Sequence, residues 1–310
     1  MEVYHIPVLL NESVDALDIN PSGVYVDATL GGGGHTREIL SRLGEKGRLV
    51  VFDRDREALE NAPKDPRVIV VHHNFRFVRN FLRYHGFQGA DGILADLGVS
   101  SHQFDTSERG FSFRFEADLD MRMNDRAETT AQDILNRYSE EELENILRLY
   151  GEVDGSRRIA SMICAARAKQ PIQTTGDLTR AIAKALPKLA EHKFLAKIYQ
   201  ALRIEVNGEM NSLAGFLQGA ADSLLPGGRL SVITYHSLED RMVKNFIRSG
   251  NIAGKDERDP FGRSTAPLKA VNKKAALPSE EEIANNTRAR SAKLRVAEKI
   301  NPEEGKKAWR

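Results

Sequence analysis

Val24-Tyr25-Val26-Asp27-Ala28-Thr29-Leu30-Gly31-Gly32-Gly33-Gly34-His35 runs from an apolar strand pattern through four consecutive glycines into a helical pattern that continues to Leu43. Glycine reaches backbone conformations other residues avoid, and without a Cβ it lets a ligand approach the main chain closely. The start of the helix supplies N–H groups that have no partner inside the helix. A strand, a glycine turn and a helix in that order form the first unit of an α/β sheet, with a ligand expected at the turn.

The same rhythm continues outward from this stretch. Arg48-Leu49-Val50-Val51-Phe52-Asp53 reads as a second strand, with a helix expected near Asp55 to Asn61. Arg67-Val68-Ile69-Val70-Val71 reads as a third strand, with a helix from Phe75 to Tyr84, and Asp91-Gly92-Ile93-Leu94-Ala95-Asp96 as a fourth. Nearly unbroken apolar strands alternating with helices predict a parallel sheet covered on both faces. The rhythm then stops. Residues 100–127 show no period and predict a long functional loop. From Thr130 to Asn207 the pattern is helical, with a capping box at Ser139-Glu140-Glu141-Glu142. Afterwards a helix over Met210 to Leu225, a turn at Pro226-Gly227-Gly228, a strand over Arg229 to Tyr235 and a helix over Leu238 to Arg248 restore the α/β pattern. Residues 251–287 read as an irregular Lys-rich loop, and Ala292 to Ala297 as a closing strand. The expected organisation is a discontinuous core over 1–110 and 208–310, with an inserted loop and helical domain over 111–207.

Composition bounds the function. The chain has 310 residues, 45 basic and 44 acidic, with 41% hydrophobic residues, which suits a globular protein with a sizeable core. A single cysteine, Cys164, excludes an internal disulfide and a Cys-based zinc site. No apolar run reaches the ~20 residues that span a bilayer, and Met1 to Pro7 has no basic cluster of a secretory signal, so a cytoplasmic location is expected. The net charge of +1 hides an asymmetry. Arg241 to Arg310 holds 17 basic and 9 acidic residues, a net of +8, on a body whose net charge is −7. Such a basic segment is either a solvated tail or a phosphate-binding face.

The acids at the strand ends narrow the ligand. Asp53 stands 20 residues after Gly33, the spacing at which an acid takes both ribose hydroxyls of an adenosine cofactor. The glycines are contiguous rather than spaced as in a dinucleotide fingerprint. Asp27 just ahead of them would repel a pyrophosphate but suits a cationic amino-acid end. That favours S-adenosyl-L-methionine, with its sulfonium and ammonium, over NAD. Phe75 is placed either to stack on adenine or to pack as a core residue of the next helix. His72 and His73 are neighbours at a strand end and point opposite ways, so no metal is expected there. Asp96 ends the fourth strand at the same rim, and His236 leaves the fifth, where it would accept or relay a proton.

Seven ordered motifs resemble the RsmH (MraW) family of bacterial 16S rRNA cytosine-N4 methyltransferases. They are Asp27 to His35, Asp96 to Ser101, Arg109 to Phe113, Leu119 to Met123, Gln200 to Ile204, His236 to Arg241 and Arg288 to Arg295. The resemblance spans Pro7 to Ala297. It implies a class I S-adenosylmethionine-dependent fold, Rossmann-like with a mostly parallel sheet, carrying an inserted all-helical domain. It implies methyl transfer to the exocyclic N4 amine of a cytidine in the decoding centre of the small ribosomal subunit, leaving S-adenosyl-L-homocysteine. By motif, Gly33, Gly34, His35, Asp53, Phe75, Asp96 and Gln103 would hold the cofactor. Asp118 and Thr287 stand where the family usually has proline.

The expected partner is 16S rRNA in the small subunit, with no membrane and no metal, and a homodimer left open. The cytosine amine is a poor nucleophile, so alignment with the sulfonium methyl and a proton acceptor must supply the rate. Asp96, Ser100 and His236 are the catalytic candidates. Phe111 and Phe113, in the loop of residues 109–115, would either stack flanking nucleotides or anchor the loop. Arg241, Arg288, Arg290, Lys293 and Arg295 would gather phosphates. Two other readings stay open: a DNA or small-molecule methyltransferase on the same frame, and a non-enzymatic RNA-binding factor.

Overall fold

A computed structural model describes residues 7–99 and 109–301. The chain divides into two compact units: the residues up to Gly98 together with those from Asn211, and Val99–Met210 between them. The first unit holds one seven-stranded sheet of β1 (Val24–Asp27), β2 (Arg48–Asp53), β3 (Val68–His72), β4 (Ala90–Asp96), β5 (Leu224–Thr234), β6 (Leu268–Ala270) and β7 (Lys293–Lys299), in the order β3-β2-β1-β4-β5-β7-β6. The first five strands pair parallel, and β7 runs antiparallel between β5 and β6. Apolar runs produce this burial: Leu49, Val50, Val51 and Phe52 are wholly inaccessible, as are Ile93, Leu94 and Ala95.

In chain order the helices of the first unit are α1 (Leu10–Asp15), α2 (Gly34–Arg42), α3 (Arg56–Leu59) and α4 (Val78–Tyr84). The second unit follows with α5 (Ala131–Arg137), α6 (Glu140–Leu149), α7 (Ser156–Arg167), α8 (Thr175–Ile182) and α9 (Glu191–Asn207). Then come α10 (Glu209–Ser223), α11 (Ser237–Ser249) and α12 (Glu280–Asn285). Capping boxes start α5 at Thr130, α6 at Ser139 and α8 at Thr174, each with its acid three residues on. The second unit has its own core, with Leu119, Met121, Ile134, Leu143, Ile159, Leu178 and Ile198 all buried.

Several elements differ from their sequence patterns. The helix after β2 is one short stretch, because the Asp55 side chain caps it and Pro63 follows closely. The helix after β3 opens with a tighter 3-10 turn, Phe75–Phe77, capped by Asn74. Residues 251–287 contain β6 and α12, too short for a hydrophobic period to show. Pro226-Gly227-Gly228 bulges out within β5, whose pairing with β4 jumps from Ala90↔Leu224 to Gly92↔Arg229. At Asp118, the amides of Leu119 and Thr175 make the bridge to the segment before α8. A proline at 118 would therefore remove no donor from this bridge.

Candidate active site

The strand order reverses between β1 and β4, and in open α/β sheets ligands bind beyond the carboxyl ends of the strands at such a point. Three carboxylates meet that rim. Asp27 ends β1 level with Val51 and Leu94, while Asp53 and Asp96 end β2 and β4 two residues further along. At ~3.3 Å per residue, both neighbours stand about 7 Å beyond Asp27.

Local hydrogen bonds hold each acid. Thr36 Oγ1 donates to Asp27 Oδ2 at 2.6 Å and the Thr29 amide to Asp27 Oδ1 at 3.1 Å. The Gly31 amide donates to Asp53 Oδ2 at 3.0 Å and the Asp55 amide to Asp53 Oδ1 at 2.9 Å. Tyr235 donates its hydroxyl to Asp96 Oδ1 at 2.8 Å, and the Asp96 amide donates to Thr29 Oγ1 at 2.7 Å. The glycine turn therefore hangs on Asp53, and β1 is tied to β4 through Thr29.

Glycine is required within that turn. Gly33, the residue just before α2, sits at φ 74°, in the left-handed region, and a Cβ there would meet Asn61 O at 2.9 Å. A Cβ on Gly34 would overlap Pro7 Cγ. Around Gly32, by contrast, a Cβ would meet nothing within 4 Å, so the main chain is open to an approaching group.

The electrostatics are those of an acidic hollow. Burial pushes Asp27 up to about 7 and Asp96 up to about 7, and raises Asp53, with repulsion among the acids adding to the effect. His35, 5% exposed, is pushed by burial down to about 4, and its Nε2 lacks a hydrogen-bond partner among the described residues. Its 3.9 Å approach to Asp96 is therefore no ion pair at neutral pH. A cation in the hollow would relieve all three acids at once.

Phe75 is half-buried, set edge-on against Phe216 of α10 with 5.1 Å between ring centroids. His236 caps α11: its Nδ1 accepts from the Glu239 amide at 3.4 Å. Glu239 Oε2 accepts from the amides of Tyr235 at 2.9 Å and His236 at 3.3 Å. His236 Nε2 lies 3.1 Å from Glu239 Oε1, in close contact rather than in an aligned hydrogen bond. Ser100 and Gln103 lie outside the described residues.

Sequence reading missed Tyr235, Thr29 and Thr36. A hydroxyl in the first turn after the glycines, nine residues past an acid, was the available signal for Thr36. One open alternative is decided, and one expectation is narrowed. Phe111 is 5% exposed and the partly buried Phe113 packs on Tyr199 with 5.4 Å between centroids, so both rings anchor the loop to the second unit's core, the second of the two readings. Arg295 is bound to Asp240 at 2.7 Å and 3.2 Å, with Lys293 at 3.5 Å from the same carboxylate, so part of the expected phosphate set is already neutralised.

A parallel sheet with an antiparallel seventh strand inserted between the fifth and sixth, and a glycine turn and acids at the switch point, defines a class I S-adenosylmethionine-dependent methyltransferase fold. The chain belongs to the MraW methylase family, whose model matches residues 2–300. It is 58% identical over 296 residues to the ribosomal RNA small subunit methyltransferase H of Bacteroides fragilis, covering 96% of this chain and 97% of that one. The protein of the same name from Bacteroides thetaiotaomicron is also 58% identical, over the same shares of both chains. That from Flavobacterium johnsoniae is 53% identical over 297 residues, covering 96% of this chain and 98% of that one.

Proposed function

We propose that this protein transfers a methyl group from S-adenosyl-L-methionine to the N4 amine of a cytidine in the decoding centre of 16S rRNA. The observation that carries this reading is the hollow of three carboxylates beside an open glycine turn, in a chain whose full-length relatives bear a small-subunit rRNA methyltransferase name. When bound, the cofactor supplies an electrophilic sulfonium methyl. Asp53 would take the ribose hydroxyls, Phe75 the adenine face, and Gly33, Gly34 and Gln103 the remaining contacts. The buried ring of His35 would give its unpartnered Nε2 to the same ligand. Asp27 and Asp96 would face positive charge, which holds them ionised.

Asp96 would then serve the amine as well. Its Oδ1 is fixed by Tyr235, and its side chain is 23% exposed, unlike the fully buried Asp27. A carboxylate held ionised beside the amine is suited to accept the proton that the amine loses. Ser100 and His236 would line the cytosine pocket. The base must leave its RNA setting to reach them. Residues 111–207, with their separate core, would recognise the surrounding RNA.

The test is mass spectrometry of rRNA nucleosides from cells lacking the protein. N4-methylcytidine should fall and return with the wild-type chain but not with Asp96→Ala. Unchanged N4-methylcytidine overturns the assignment. In purified assays, methyl transfer to DNA in preference to 30S particles or rRNA would move the protein to another substrate class.

A further inference from the structure

We infer that the outer face of α4, with the turn that follows β3, is a contact surface for the RNA strand flanking the target base. The inference rests on the reading that the substrate is rRNA.

From Pro66 to Ala90 the chain contains no acidic residue, yet it holds four arginines and three histidines. Arg67 is taken by Asp65 at 2.8 Å, and Arg79 is paired with Asp222 of α10 at 2.9 Å. Arg76 and Arg83 remain exposed. Arg76, Arg79 and Arg83 recur at helical spacing and so form one stripe along the element. A second stripe, one residue round the helix, is aromatic: the half-buried Phe77 and Phe81, the latter edge-on to buried Phe52 with 5.8 Å between centroids, and the exposed Tyr84. His73 joins it, with its ring 4.8 Å from Phe77 and 5.2 Å from Phe81, and Tyr84 stands 6.5 Å from Phe81. Arg76 lies over the Phe77 ring at 5.1 Å.

The far end of this row is bare. Tyr84 is 81% exposed, an unusual position for a large ring, and meets the rings of Phe81 and His85 at 6.5 and 5.1 Å between centroids. The near end is adjacent to Phe75, at the rim where the cofactor would sit. A cationic stripe beside a row of rings is the combination that binds single-stranded nucleic acid, with phosphates on arginine and bases on aromatic faces. The stretch supplies no carboxylate of its own, and Asp222 of α10 pairs Arg79 alone of the three stripe arginines, so the face keeps a positive excess at Arg76 and Arg83 that favours RNA over a protein partner of mixed charge. Of the residues expected earlier to gather phosphates, Arg295 and Lys293 share the Asp240 carboxylate, which offsets one of their two charges.

The experiment compares the wild-type chain with Arg76→Gln/Arg83→Gln and with Tyr84→Ala. Affinity for a 16S rRNA fragment and for 30S particles is measured across a salt series, with S-adenosylmethionine affinity by calorimetry as the folding control. The double variant should lose about 1.4 from the salt slope, ~0.7 for each phosphate contact on a single strand. Tyr84→Ala should weaken RNA binding roughly five- to 150-fold, the range for one stacked base. Cofactor affinity should not move in either variant. Wild-type RNA affinity and salt slope retained by both variants would overturn the surface assignment. So would a loss confined to 30S particles with the naked fragment unaffected, which would make a ribosomal protein the partner. A wild-type chain that binds neither RNA nor particle would instead refute the underlying rRNA reading.

Discussion

Replacing Asp27 with asparagine should stabilise the cofactor-free protein while weakening its hold on the cofactor. Asp27 is fully buried and its carboxyl is raised from 3.8 to about 7, chiefly by burial. For an acid whose folded value is raised, the sign is fixed. Below about pH 4 both folded and unfolded chains are protonated and nothing is lost. Between pH 4 and 7 only the unfolded chain releases its proton, so stability declines, and above pH 7 the loss is constant. At 1.36 kcal/mol per pKa unit, the penalty is under about 1 kcal/mol at pH 4, about 2 kcal/mol at pH 5 and about 4 kcal/mol at pH 8.

Asparagine escapes this penalty and fits the same contacts. Its Oδ1 accepts from the Thr29 amide, and its Nδ2 donates to Thr36 Oγ1, which is an acceptor as well as a donor. Urea denaturation of both proteins without ligand at pH 5 and pH 8 should therefore show the variant ahead at both. The gap should widen by about 2–3 kcal/mol at the higher pH, less what the weaker neutral hydrogen bonds forgo. Calorimetry should show weaker S-adenosylmethionine binding by the variant. A pH-independent gap, or a variant less stable than wild type at pH 8, would refute the argument that burial dominates at Asp27.

Other perturbations follow from the same geometry. Asp53→Ala removes the anchor of the Gly31 amide and the proposed ribose contact; with charged hydrogen bonds contributing about 1.5–3 kcal/mol each, cofactor affinity should fall at least tenfold by calorimetry. Tyr235→Phe deletes the hydroxyl that favours ionised Asp96, so the acidic limb of the kcat/KM profile should move to higher pH; an unmoved limb would deny Asp96 the proton-accepting role. His236→Ala removes a helix cap worth about 1 kcal/mol and should impair methylation beyond that loss of stability. Normal methylation by this variant would end the proposed role of His236 at the cytosine.

The sheet was readable because its strands are buried on both faces, which leaves continuous apolar runs such as Leu49 to Phe52. The acids Asp53 and Asp96 were readable because each ends such a run. What escaped was set by tertiary pairing. A three-residue strand like β6 exists only because β7 offers it an edge, and no local period marks it. Tyr235 gained its place through contact with Asp96, 139 residues away in sequence. Phe111 and Phe113 show the converse: an Arg- and Phe-rich loop has the composition of an RNA-binding segment, but whether its rings face solvent or core depends on the helices packed around them.

The sheet order also constrains how this chain is made. β4 and β5 are central neighbours, yet the whole second unit is synthesised between them. At roughly 5–20 residues per second, about 130 intervening residues take on the order of ten seconds to emerge. During that interval β4 has a naked apolar edge beside β1, while the helices behind it have a core of their own to collapse around. The nursery of this sheet is therefore a half-built, sticky intermediate, and cells short of chaperone capacity should accumulate it as aggregate before any mature enzyme is lost.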